Sequence, residues 1–79
     1  MTTKLAAYRQ AVEEARKCKA PMVLIATRDD WGKPTVEYCA EGMETILYGV
    51  LLTHGLATRI GHVGYDHASG QATGFMVIA

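Results

Sequence analysis

Met22-Val23-Leu24-Ile25-Ala26-Thr27, then Asp29-Asp30-Trp31-Gly32, then Thr35-Val36-Glu37-Tyr38-Cys39 is the stretch whose reading decides the fold. The first run is apolar and β-branched, and it is bounded by Pro21 and by turn residues, which is the pattern of a strand. The turn has Asp in its opening position and Gly where a left-handed backbone is needed, so a type I turn with a bulge is expected. Pro34 marks an edge or a strand start, because proline cannot donate to a ladder. Thr35 to Cys39 then alternates as the return strand of a hairpin.

On the N-terminal side a helix is expected over 4–17. Leu5, Tyr8, Val12 and Ala15 recur at helical spacing, while Arg9, Glu13, Arg16 and Lys17 take the other face. Basic residues in the last turn and Pro21 just beyond it stop the helix. On the C-terminal side a second helix begins after Glu41-Gly42, with Glu44 in its first turn where the helix dipole favours an anion. Ile46, Leu47, Val50, Leu51 and His54 form its expected stripe. The run Leu51-Leu52-Thr53-His54-Gly55-Leu56 places Gly at the C′ position with an apolar residue after it, a Schellman ending that stops the helix at His54. The rival reading carries the helix through Gly55 to Ile60 at a cost of about 1 kcal/mol for the interior glycine.

The remainder reads as a longer hairpin, with strands over 58–66 and 71–79 around His67-Ala68-Ser69-Gly70. Gly32 and Gly70 are each followed three residues on by a threonine, Thr35 and Thr73, so the two halves share one layout. The expected class is therefore α+β: a two-layer αββαββ arrangement in one small domain, 1–79, with a four-stranded, mainly antiparallel sheet and two helices on one face. Short links fix the strand directions and place the two hairpin turns at opposite ends of the sheet. An all-antiparallel sheet then has the order 2-1-3-4 or 1-2-4-3, and either order leaves one of the two most apolar strands, the first or the last (Phe75-Met76-Val77-Ile78-Ala79), at an edge. The order 2-1-4-3 makes both central and introduces a parallel pair. Both strands are apolar at successive positions, as strands covered on both faces are, and an apolar edge is a template for pairing. The expectation is a homo-oligomer in which the sheet continues through an edge strand or is covered by another copy.

Composition narrows the function class. Seventy-nine residues, 49% of them hydrophobic, suffice for one core, but a chain this short buries only about 60% of its unfolded surface and is marginal without help. Eight basic and eight acidic residues cancel, so the excess positive charge that phosphate-backbone recognition requires is missing. Two distant cysteines, Cys18 and Cys39, with no apolar leader read as free thiols in the cytoplasm, a disulfide between them being the minor reading. No apolar run is long enough to span a bilayer.

No residue set amounts to a recognisable active site. His54, His62 and His67 with Cys39 and Asp66 are the metal-type ligands, but His62 and Asp66 lie roughly 13 Å apart at strand rise, too far to grip one ion. Cys39 reads as a small core residue, and His54 as a helix-terminal one. Gly61-His62-Val63-Gly64 matches a bare G-x-x-G without the helices or basic neighbours of a nucleic-acid loop. Glycine within strands marks bulges or a close approach by a ligand or second subunit. A ligand pocket at a subunit interface would draw on Arg59, His62 and Tyr65. Trp31 is the most informative residue: at a hairpin tip it is either an exposed interface anchor with Asp29, Asp30 and Lys33 as a polar rim, or it folds back over the strand or the first helix.

Ala26-Thr27-Arg28-Asp29-Asp30-Trp31-Gly32-Lys33-Pro34-Thr35-Val36 resembles the first hairpin of flavin split-barrel proteins. The likeness covers eleven residues of common turn chemistry. The chain is too short for that barrel and no phosphate-binding basic cluster follows, so the resemblance implies no flavin, and no other cofactor is expected. The leading expectation is a small non-catalytic interaction protein, an inhibitor or accessory factor of the kind phages and mobile elements encode. A small-ligand or nucleotide binder is the alternative.

Overall fold

The computed structural model describes the backbone of residues 4–76 and the side chains of residues 4–74. Its elements run α1 (Lys4–Cys18), β1 (Met22–Arg28), β2 (Pro34–Ala40), α2 (Glu44–Thr53), β3 (Thr58–Asp66) and β4 (Gln71–Met76). The sheet has the order β2-β1-β3-β4, every pair antiparallel, which is the first of the orders the sequence allows. Val77, Ile78 and Ala79, part of the expected last strand, lie outside the described residues.

Helix α1 rests on the sheet through Ala7, Ala11 and Ala15, all fully buried. Their i, i+4, i+8 spacing makes one stripe, and their small size lets the helix axis approach the strands. The expected stripe is thus rotated: Leu5 is 53% exposed, while Tyr8 and Val12 flank the contact. The alanines win the sheet face because a larger side chain there would hold the helix off and open voids. Beneath them lie Met22, Leu24, Val36, Ile60, Val63 and Ala72. Among the described residues Leu24, Ile25 and Val63 are the largest fully buried side chains, each contributing about 1.5–3 kcal/mol.

Because β2 and β3 are both antiparallel to β1, they run parallel to each other, and α2 is the crossover that carries the chain over β1. Helix packing on the α1 face accounts for Met22 and Leu24. Val23 and Ile25 alternate to the other side of β1 and pack with Ala57 against Tyr48, Leu51 and Leu52 of α2. Where both helices were expected on one face, α1 and α2 take opposite faces of β1; the strand is sheltered on both sides by its own chain, which is why four consecutive residues, Met22 to Ile25, are buried. The apolar first strand therefore needs no second copy to cover it. The open edges are β2 and β4.

Both helices end on left-handed residues. Lys19 (φ 54) follows α1, and the Ala20 N–H donates back to the Ala15 carbonyl at 3.2 Å. After α2, Gly55 (φ 72) lets the Leu56 N–H reach the Leu51 carbonyl at 2.8 Å and the Gly55 N–H reach that of Leu52 at 3.3 Å. That is the Schellman pattern; the helix stops at His54, and the continuation to Ile60 is excluded. Gly42 N–H donates to Glu44 Oε1 at 2.7 Å, satisfying the buried carboxylate at the start of α2. No helix among the described residues is long and apolar enough to cross a membrane.

Candidate functional site

The β1–β2 hairpin carries the most exposed large hydrophobic side chain among the described residues, Trp31, at 86% of its full surface. The reading in which it folds back over the strand or the first helix is therefore excluded. Its turn is held by a set of short bonds. Asp29 N–H donates to the Lys33 carbonyl and Gly32 N–H to the Asp29 carbonyl, both at 2.9 Å. The Asp29 carboxylate Oδ1 accepts from the N–H groups of Trp31 and Lys33, each at 2.9 Å. Arg28 Nη1 donates to the Gly32 carbonyl at 2.7 Å. Gly32 has φ 76, as the type I turn with a bulge requires. Asp29 is thus engaged in the turn, while Asp30 and Lys33, close to Trp31 in sequence, are exposed. The result is a large aromatic surface on a backbone already fixed in place.

Arg59, His62 and Tyr65 are not brought together. Arg59 pairs with Ile25 and His62 with Val23, so both share the α2 side of the sheet. Tyr65 packs against the α1-side core instead and meets His67 edge-on, with ring centroids 4.9 Å apart. A β-bulge between the Leu24 and Ile25 pairings resets the alternation of β3, so Ile60 and Val63, three apart, both reach the α1-side core. The proposed ligand wall is split by the sheet. His62 Nε2 lies 3.1 Å from Glu41 Oε1, and Arg59 borders a shallow groove along α2 with Thr45, Gly49 and Thr53.

Among the described residues no three His, Cys, Asp or Glu side chains converge on one point. Cys39 is buried, and burial, then the Glu44 carboxylate, push its thiol pKa up. Cys18 is exposed and donates to Glu14 Oε1 at 3.5 Å. The hydrogen bond to Glu14 raises the Cys18 thiol and burial that of Cys39, outweighing the lowering by Lys17 and Arg59, respectively; this is the opposite of an activated nucleophile.

One surface was misassigned by the sequence reading. Ile46, Leu47 and Val50, expected to face the core, are 74%, 58% and 73% exposed. Of the expected stripe Leu51 does pack on the core, and it is joined there by Glu44, Tyr48 and Leu52. The signal was available: Ile46-Leu47-Tyr48 and Val50-Leu51-Leu52 make the helix apolar all round, and such a helix has more oily surface than one contact covers.

Comparison with protein-family models, with curated proteins and with solved structures finds no match to this chain.

Proposed function

We propose that this chain is a small non-catalytic, cytoplasmic interaction module that binds another protein through its β1–β2 hairpin tip and also self-associates. The observation that carries the reading is Trp31, 86% exposed on a turn whose backbone is tied by five hydrogen bonds. Tryptophan is the residue most enriched among side chains that dominate binding energy, and a fixed loop loses little freedom when it docks. Asp30 and Lys33 supply one charge of each sign at the rim, which sets register and orientation more than affinity. Two unpaired cysteines, one buried and one exposed, suit a reducing compartment.

The test is affinity capture from host lysate with wild-type protein and with Trp31→Ala, followed by titration of whatever the wild type retains. The expected result is a partner whose affinity falls at least about tenfold on removal of the indole, while stability changes by no more than about 0.5 kcal/mol because the side chain packs on nothing. Equal capture by both proteins would overturn the reading.

A further inference from the structure

We propose that the outward face of α2 is the self-association surface, and that its occupant is the same face of a second copy, laid antiparallel across it. The inference takes up the self-association in the proposed function but rests on a different surface from Trp31, and it replaces the edge-strand pairing that the sequence suggested. Met43, Ile46 and Val50 fall in one line at i, i+3 and i+7, with Leu47 on its flank and Leu56 just past the helix end. They are 41%, 74%, 73%, 58% and 63% exposed. Taking roughly 150 Å² for a whole large side chain, they present on the order of 450 Å² of apolar surface, within the range of about 300–600 Å² for a monomer's largest patch, which is often functional.

Area and charge both favour a second copy. Doubled across a two-fold axis, and widened by Thr45, Gly49 and Thr53 alongside, the contact reaches about 1,000 Å², the size at which a specific but weak dimer becomes feasible. Met43, Ile46, Leu47, Val50 and Leu56 carry no ionisable group. Glu41, which also meets His62 at 3.1 Å, stands before the helix's N-terminal end, and His54 and Arg59 border its C-terminal half. An antiparallel pair therefore sets acid against base at both rims and opposes the two helix dipoles. Ile46 of one copy meets Val50 of the other, the reciprocal contact that a two-fold axis demands.

The flank at Gly49 is shaped for close approach. A Cβ added there meets nothing within 4 Å, so the space beside the helix is open. Thr45 Oγ1 donates to the Gly42 carbonyl at 3.0 Å, and Thr53 Oγ1 to that of Gly49 at 2.8 Å. Both hydroxyls are turned into the helix backbone, which makes their side of α2 less polar than its sequence implies.

Sedimentation equilibrium of the full chain from low micromolar to submillimolar concentration tests this, with Val50→Asp, Ile46→Asp and Trp31→Ala alongside. Circular dichroism checks that each variant is folded; both aspartates replace side chains about three-quarters exposed, and if one fails to fold the other decides. Wild type is expected to pass from monomer to dimer within the range. Each aspartate should weaken the dimer at least about tenfold, since it buries an unpaired charge against an apolar side chain of the other copy, and Trp31→Ala should leave the dimer unchanged. A monomer at every concentration overturns the proposal, as does a dimer indifferent to both aspartates or one lost with Trp31. None of these outcomes alters the capture result for the hairpin tip, so the two readings fail separately.

Discussion

Replacing Asp29 by alanine removes the acceptor that fixes the Trp31 turn. One carboxylate oxygen serves two backbone N–H groups, those of Trp31 and Lys33, at 2.9 Å each, which makes it the hairpin counterpart of a helix N-cap. Losing a cap costs about 0.5–2 kcal/mol. Here the freed amides are at the surface and can turn to water, so about 1 kcal/mol is expected, or a fall of about 4–8 °C in Tm for a chain of this size. Asp29→Asn keeps a carbonyl acceptor and should cost about half as much. Urea denaturation followed by circular dichroism reads the stability. Trp31 is the only tryptophan in the chain, so its time-resolved anisotropy reads the turn directly. Added nanosecond motion of the indole should accompany the loss, and partner affinity should fall about fivefold, the equivalent of 1 kcal/mol. If Asp29→Ala matches wild type in both Tm and anisotropy, the turn is not held by that carboxylate and the preordered anchor fails. If Asp29→Asn is as damaging as alanine, the charge and not the acceptor geometry is responsible.

Other outcomes follow from the same geometry. Gly74→Ala places a Cβ into the His62 carbonyl oxygen and within 2.7 Å of Val63 Cα; backbone cannot yield cheaply, so about 2 kcal/mol or more should be lost in denaturant titration, and a neutral result would mean β4 does not approach β3 as described. Asp66 is held below the ordinary aspartate range, first by the Ser69 hydroxyl and then by the Ala68 N–H. A depressed folded-state pKa adds stability that is present above the ordinary value and lost as pH falls through the depressed one, so Asp66→Asn should flatten the acid limb of the stability profile, and an unchanged limb would count against the turn bonds. Under native conditions an alkylating reagent should label exposed Cys18 well before buried Cys39, whose labelling should track unfolding; mass spectrometry of a time course reads the order, and equal rates would place Cys39 at the surface.

The sequence alone determined the elements, because each boundary is a local matter. Gly55 followed by Leu56 closes α2 through bonds within six residues, and Asp29 with Gly32 closes the hairpin within five. Those residues are legible in order along the chain, and so was the chemistry of the Trp31 turn. Which side each helix turns inward was not local. In α1 the alanines took the sheet and Leu5 was left outside, because closeness of packing outweighed the hydrophobicity of any one residue. In α2 two apolar faces competed for one contact, and the crossover over β1 gave it to Tyr48, Leu51 and Leu52, leaving Ile46 and Val50 in solvent. Plain alternation along β3 already set His62 and Tyr65 on opposite faces, and a bulge at Ile60, set by pairing across to β1, moved Arg59 from the face of Tyr65 to that of His62. Periodicity marks which residues can share a face; only the path of the chain over its own sheet decides which face is buried.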